Sequence, residues 1–431
     1  WKGWIMDCFT YRDGELYCED VRVADIAAEA GTPVYIYSKV TLLDHYGKIM
    51  EAFGAVSPTI CFSIKSLSNL HVLRELAAAG SGFDVVSGGE LARAMEIGAD
   101  PAKIVYAGVG KTDKELNEAI AAEIGLFNVE SEEEFENLSR LASAAGKTVR
   151  AALRVNPDVD PKTHRYTTTG KKETKFGVDI ERAERFFATY GADASVKLDA
   201  IHLHIGSPIY TADPYVDAIT KTLAMMDRLA EQGFTVRTLD IGGGFAADYI
   251  SGKSPAAPDY AAAIVPLLEG RGLEVILEPG RSIAGNAGVF IAEVQYIKKG
   301  GDRNFVIIDG AMTDLLRPAL YESEHFVYPA NLKGSPEPTR DPAFEAAGGV
   351  KVDIVGGVCE SSDFLAKDRV LPAMVRGDLL AVFTAGAYGF VMSSQYNSRP
   401  RSAEVLVDGD AWRVVRRRET YDDLLVAERD V

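Results

Sequence analysis

Lys65 ends the apolar run CFSIK, and a lysine so placed can be more than a surface charge. In a partly desolvated pocket its amine loses its proton and attacks a carbonyl, the chemistry of a Schiff-base lysine. Strand-terminal lysines are usually just solvated, so the assignment depends on neighbouring groups. Suitable ones stand at equivalent places along the chain. TLDI runs into Gly242, Gly243 and Gly244, where missing side chains would let backbone N–H groups approach a phosphate, although a flexible turn has the same composition. Ser207 and Arg281 would complete that cradle with a hydroxyl and a charge-assisted donor. Glu278, ahead of Pro279, Gly280 and Arg281, can pair with a protonated heterocyclic nitrogen and keep that ring electron-poor. Asp84 lies in the run GFDVVS.

His204, in HLHIGS, could stack on a flat ring or be a satisfied core histidine. His202 stands two residues earlier, so on a strand both rings share a face and a two-histidine metal site is an alternative. Acidic or cysteine ligands at metal spacing are not evident, and no metal is expected. GVGKT, from Gly108 to Thr112, has the look of a phosphate loop, but the position that needs the first glycine is Val105, so it reads as a strand–helix turn. Further along, RPALY carries Arg317 and Tyr321, VCESSD carries Cys359 and Glu360, and AGAYGF carries Tyr388. A lone cysteine beside a carboxylate is most often packing; its value here depends on reaching the same mouth, from this subunit or another.

The elements that must position these groups follow from hydrophobic patterning. Between about Thr59 and Gly280 there are eight apolar, β-branched runs: TICFSIK, GFDVVS, KIVYAG, GLFNVE, VRAALRVN, DAIHLHIGS, TLDIGGG and EVILEPG. Helical patterns separate most of them, such as NLHVLRELAAAG, GELARAMEIG, KELNEAIAAE and the segment from Asp213 to Gln232. Eight such units predict a (β/α)8 TIM-type barrel over residues 32–284, with the chemistry at the C-terminal strand ends. The run TPVYIYS is expected to lead into it. After Gly285 the strands GVFIAEVQYIKK, NFVIIDG, VKVDIVG, DLLAVFTAG and AEVLVDGDAWRVVRRR follow without helical periodicity, predicting an all-β domain of sandwich or barrel-like form. Residues 1–31 are assigned with 285–431 to this domain, Tyr11 to Arg22 adding a strand, and Asn331 to Gly349 reads as an exposed connection.

Composition narrows the partners. A chain of 431 residues implies two domains, and 47% apolar with 25% charged residues is ordinary for a globular protein. A net charge of −17 opposes a nucleic-acid or anionic-membrane partner, since both need a basic face. No apolar run reaches membrane-spanning length, no secretory signal is read, and residues before Met6 read as a start-site artefact. Cys8, Cys18, Cys61 and Cys359 lack C-x-x-C spacing and are expected to be free thiols, which with the missing signal predicts a cytoplasmic protein.

CFSIKSLSN, GFDVVSGGEL, the segment from Arg154 to Val178, HLHIGS, LDIGGGF, EPGRSI, RPALY, CESSD and AYGFVMSSQYNSRPR occur in the order found in diaminopimelate decarboxylases. From about Met6 onward the chain resembles that family of alanine-racemase-like, fold-type III pyridoxal-phosphate enzymes, which have a barrel plus a β domain. The resemblance implies an amino-acid carboxy-lyase that converts meso-2,6-diaminopimelate to L-lysine and carbon dioxide, the last step of lysine biosynthesis. By position, Lys65 would bind the cofactor aldehyde and His204 would stack on the ring. Ser207, Gly242, Gly243, Gly244, Gly280 and Arg281 would surround the phosphate. Asp84, Glu278 and Tyr388 would complete the cofactor site, with Glu278 on the ring nitrogen. Arg281, Arg317, Tyr321 and Tyr388 would hold the substrate's retained carboxylate end, Glu360 its distal amine, and Cys359 would donate the proton. In that family Cys359 and Glu360 serve a partner's site, which implies a homodimer. Two departures touch the cofactor mouth: Ser66-Leu67 stands where the family more often has alanine-asparagine, and Pro208 where glutamine is common. Alternatives are a related decarboxylase for ornithine, arginine, lysine or a carboxylated polyamine, an inactive regulatory homologue, and a metal-dependent barrel enzyme.

Overall fold

The computed structural model describes residues 5–160, 175–250, 254–339, 344–429 and 431. The stretch from 161 to 174, part of the long motif after Arg154, lies outside the described residues, as do 1–4 and 340–343 of the connection after Asn331. The chain forms two compact units, one of His45–Ala246 with Pro255–Arg281, the other of Trp1–Asp44, Ala247–Ser254 and Ser282–Val431.

In the first unit every one of the eight apolar runs is a strand: β1 Thr59–Ser63, β2 Gly82–Val85, β3 Ile104–Tyr106, β4 Leu126–Val129, β5 Val149–Asn156, β6 Val196–His202, β7 Thr238–Asp240 and β8 Glu274–Leu277. Each pairs in parallel with the next, and β8 returns to β1, closing a barrel. Strand-to-helix boundaries are set by caps. Ser87, Thr112, Ser131 and Asp179 each accept a hydrogen bond from the backbone N–H three residues on, and Thr112 with Glu115 forms a capping box. GVGKT is therefore the turn into a helix, and its Lys111 is spent internally on Gly108 O, Asn128 O and Glu134.

Strand alternation divides the barrel interior into layers. Cys61, Val105, Leu126, Ala152 and Ala200 pack together with Ile276 against them. Two residues on from five of these six, toward the C-terminal ends, stand Ser63, Asn128, Arg154, His202 and Glu278. Asp84 and Asp240 join this upper layer from β2 and β7, and all seven are buried. One layer of the barrel is thus apolar and the next is almost wholly polar, which is where the chemistry concentrates.

The second unit holds a sheet in the order Phe364–Leu371, Val350–Val355, Arg303–Ile308, Gly288–Gly300, Val34–Ser38, Ala403–Asp408, Ala411–Arg416; Leu379–Val382 also pairs with Gly288–Gly300 and carries Val327–Pro329. Three sequence expectations are corrected. Val34–Ser38, within TPVYIYS, is a strand of this sheet rather than a lead into the barrel: it lies antiparallel to Gly288–Gly300 and parallel to Ala403–Asp408. It is buried throughout, with Tyr35 and Tyr37 hydroxyls donating to Asp314 O and Glu404. A run buried on both faces looks the same in a barrel or a central sheet strand. The segment from Tyr11 to Arg22, expected to add one strand to the β domain, falls in that unit but gives three strands, Phe9–Arg12, Glu15–Cys18 and Val21–Arg22, in a four-stranded sheet with Ile5–Met6. The final run is two strands that turn at Gly409, whose φ of 65° suits glycine.

Candidate active site

The upper barrel layer is a connected polar cluster. β1 ends at Ser63, and Lys65 lies beyond it in a 3-10 turn, Ile64–Ser66, not on the strand itself. Its Nζ forms an ion pair with Asp84 Oδ2. Ser63 Oγ sits 2.7 Å from the same Asp84 oxygen and 3.0 Å from the Glu278 carbonyl oxygen. Ser66, one of the departures, is buried and its hydroxyl donates to Ser63 O at 2.7 Å, closing the lysine turn on itself. A Cβ on Gly280 would come within 2.9 Å of Ser66 Oγ, so this glycine lets the chain pass over the turn.

Glu278 is the centre of the layer. Its Oε2 lies 3.3 Å from His202 Nε2 and its Oε1 accepts from Asn128 Nδ2 at 3.3 Å. Burial alone would raise its carboxyl. The attraction of His202 and its hydrogen bond, with Lys65, outweigh that and hold Glu278 well below the usual carboxylate range. Asp240 moves the other way: burial, then the charge of Glu278, push its carboxyl well up. Asp84 is also raised, by burial and by Glu278, against the pull of Lys65. The layer thus contains one acid whose carboxyl is lowered and two whose carboxyls are raised, one of these, Asp84, ion-paired with Lys65. Burial, and the cations Arg154 and Lys65, keep His204 well below the ordinary histidine range, so its ring is uncharged near neutrality.

The triple glycine has a packing reason. Built Cβ atoms would meet Leu203 O at 2.1 Å from Gly242, Glu278 O at 2.2 Å from Gly243 and Gly206 O at 2.3 Å from Gly244. The loop after β7 is therefore wedged between those after β6 and β8, closer than any side chain permits. The Gly242 amide donates to Asp240 Oδ1 at 2.8 Å and the Gly243 amide to His204 Nδ1 at 3.4 Å, so two of the three amides already have acceptors. Arg281 Nε donates to Ser207 Oγ at 3.1 Å, bringing the last two cradle residues together.

Candidate metal ligands do converge in this layer. Asp240 and Glu278 approach His202 from other strands, and ligand atoms of the three lie within 4.8 Å of one another. The acidic partners absent from the local sequence come from strand closure. His202 and Glu278 are, however, already hydrogen-bonded to each other, and Asp240 resists the ionisation that a ligand requires.

In the second unit Arg317 begins a short helix, Arg317–Tyr321, and is 5% exposed, with Tyr321 half-buried four residues on. Cys359 and Glu360 are exposed. Their loop is held by Asn397 Oδ1, which accepts from Cys359 N at 2.7 Å, and by Asp363, which accepts from Val358 N and Met312 N, both at 2.7 Å. Tyr388 has φ 56°, a left-handed backbone unusual for an aromatic residue. Sequence reasoning singles out none of Ser63, Asn128, Asp240, Asp363 or Asn397. For the first three a signal exists: each is a polar residue inside an apolar run.

Comparison with known proteins agrees with this picture. The family model described as pyridoxal-dependent decarboxylase, pyridoxal binding domain, matches residues 40–285. The diaminopimelate decarboxylase of Pseudomonas aeruginosa is 46% identical over 98% of this chain and 99% of its own length. The enzyme of that name from Aquifex aeolicus is 44% identical over 98% and 97%. The crystal structure described as diaminopimelate decarboxylase from m. jannaschii in co-complex with L-lysine superposes with a TM-score of 0.91 at 34% identity, covering 98% of each chain. By sequence along nearly its whole length, and by fold, the chain belongs to the diaminopimelate decarboxylase family of pyridoxal-dependent decarboxylases.

Proposed function

We propose that this chain takes up meso-2,6-diaminopimelate, removes one carboxylate and releases L-lysine and carbon dioxide with pyridoxal phosphate as cofactor. The observation that carries the proposal is the meeting at one strand-end layer of the Lys65 amine, ion-paired with buried Asp84, and buried Glu278, whose carboxyl is held below its ordinary range. The residues present fit the cofactor. Lys65 offers an amine to its aldehyde, Glu278 a carboxylate held below its ordinary range to its ring nitrogen, and His204 an uncharged ring. Arg281 and Ser207 offer donors to its phosphate beside a glycine loop that would not tolerate a Cβ. Bound there, pyridoxal phosphate would supply an electron sink for the pair left behind when the carboxylate departs.

The chain's own groups do the rest. Asp84, whose carboxyl is raised, takes the proton that the Lys65 ammonium must lose to become nucleophilic, from Nζ to Oδ2. Glu278, screened from water, keeps a partner nitrogen protonated. Arg317 and Tyr321, with Arg281 and Tyr388, recognise the retained carboxylate end, and Glu360 the distal amine. Cys359 delivers a proton to the carbon that lost its carboxylate, and the thiolate recovers a proton from water. The exposure of Cys359 and Glu360 on this chain supports their service to a second copy, hence a homodimer. Among the described residues no helix is long and apolar enough to cross a membrane, which suits the proposed cytoplasmic setting.

The test is carbon dioxide release from meso-diaminopimelate, ornithine and lysine with added cofactor, alongside borohydride reduction and peptide mapping. Turnover confined to diaminopimelate and a reduced cofactor adduct on Lys65 support the proposal. An unlabelled Lys65, or full activity in Lys65→Ala, refutes the Schiff-base assignment. Preference for ornithine or lysine refutes the substrate.

A further inference from the structure

We infer that His325 is a positioning residue for substrate recognition: locked in one neutral tautomer, it aims Arg317 at the carboxylate the reaction retains. The inference rests on the proposed carboxylate role of Arg317.

Hydrogen-bond parity carries it. Arg317 Nη1 lies 2.9 Å from His325 Nε2, and His325 Nδ1 lies 2.9 Å from the Phe383 carbonyl oxygen. A guanidinium has only donors and a carbonyl only acceptors. His325 must therefore accept at Nε2 and donate at Nδ1, and only the neutral ring with its proton on Nδ1 does both. The ring is wholly buried, which keeps water from competing for either contact. Tyr249 packs edge-on against His325, 5.2 Å between centroids at 88°, and the Arg317 guanidinium lies 4.5 Å over the same tyrosine ring. Arg317 Nη2 also donates to Ser323 Oγ at 3.3 Å. Tyr249, His325 and Ser323 thus fix the guanidinium plane, and all three are neutral groups.

The route runs from the backbone at Phe383, through one ring, to the guanidinium. Breaking it should leave the arginine present but badly aimed. Loss of a hydrogen bond to a charged group costs about tenfold or more in binding of whatever that charge holds.

The experiment uses the cofactor-loaded enzyme and three variants: Arg317→Met, His325→Leu and His325→Gln. Binding of L-lysine and of cadaverine, which is lysine without its carboxylate, is measured calorimetrically beside kcat and KM for meso-diaminopimelate. His325→Leu should weaken lysine binding and raise KM about tenfold or more, leave cadaverine binding unchanged and alter kcat little. His325→Gln, able to accept from Arg317 and donate to Phe383 O, should recover most of the loss. If Arg317→Met abolishes the preference for lysine over cadaverine but His325→Leu keeps it, the inference is overturned. If Arg317→Met itself keeps that preference, the carboxylate role of Arg317 fails, and the inference with it. Should His325→Leu not fold, His325→Asn, too short to reach both partners, replaces it and is judged by the same ratio against His325→Gln.

Discussion

Gly243→Ala tests whether the wedge between three barrel loops sets the position of Glu278. The added Cβ would lie 2.2 Å from the Glu278 carbonyl oxygen, where real contacts essentially never fall below 3.0 Å. The two loops must part by at least about 0.8 Å, and the atom in the way is backbone, which cannot swing aside like a flexible side chain. The displacement is resisted by the bond from Glu278 N to Gly242 O, 2.9 Å, so it is transmitted along the chain to the Glu278 carboxylate. A shift of roughly 1 Å in a reacting constellation costs on the order of 10²-fold in rate. Overpacking of this kind costs about 1–3 kcal/mol of stability, which lowers the unfolding midpoint without abolishing folding. The assay is kcat/KM for carbon dioxide release, with cofactor affinity from absorbance titration. Gly110→Ala is the control, because its Cβ would meet nothing within 4 Å. Expected are about a hundredfold loss in kcat/KM and weakened cofactor binding for Gly243→Ala, and wild-type behaviour for the control. A Gly243→Ala enzyme within about threefold of wild type, with native cofactor affinity, would refute the claim that loop spacing positions the carboxylate.

Glu278→Gln replaces a held negative charge with an amide and should lower kcat about 10²–10³-fold, the usual cost of losing a preorganised electrostatic partner; cofactor absorbance as a function of pH reports the same change independently of turnover. Asp314 is buried, and burial pushes its carboxyl up to about 7 from an ordinary value of 3.8. The native chain keeps this proton until about pH 7 while the unfolded chain releases it near pH 4, so folding binds a proton across that window and stability falls as pH rises through it. Asp314→Asn should therefore gain on wild type between about pH 4 and pH 7 by a few kcal/mol at most, read from denaturant midpoints; a difference that shrinks as pH rises would contradict the assignment. Dialysis against a chelator should leave activity and the unfolding midpoint unchanged, whereas loss with recovery on adding zinc would recast His202, Asp240 and Glu278 as a metal centre.

The barrel was legible because its strands are short apolar runs ended by turn residues, the first five of them followed by a helix with a side-chain cap. Those signals are local, and closure of the ring then follows from strand number. What misled was equally physical. Val34–Ser38 carries the same buried-on-both-faces pattern as a barrel strand, and nothing within its own residues says which sheet it joins. Its partners, Gly288–Gly300 and Ala403–Asp408, lie some hundreds of residues away in sequence. The small sheet formed by Ile5–Met6, Phe9–Arg12, Glu15–Cys18 and Val21–Arg22 is made of strands of two to four residues, too short for alternation to show.

For the site, residue type was legible and charge state was not. Lys65, Asp84, His204, Ser207, Glu278 and Arg281 stand out because polar groups at the ends of apolar runs are costly unless used. The same rule, applied two residues beyond each inward apolar position, would also have found Asn128, in step with Leu126, and Ser63, in step with Cys61. Alternation could not have found that the Glu278 carboxyl is lowered while those of Asp240 and Asp84 are raised. That outcome depends on which acid sits closest to His202 and which must face Glu278 itself, and only closure of β1 through β8 brings them within range. Three buried acids of similar intrinsic strength do not ionise equally in one layer, because each ionisation raises the cost of the next. The hydrogen bonds from His202 and Asn128 favour the ionised form of Glu278, while Asp84, ion-paired with Lys65 and with its carboxyl raised, is the carboxylate that can take a proton from that amine. A carboxylate held ionised beside a second that readily takes up a proton is what the amine chemistry needs, and the layer obtains both from the same electrostatic competition.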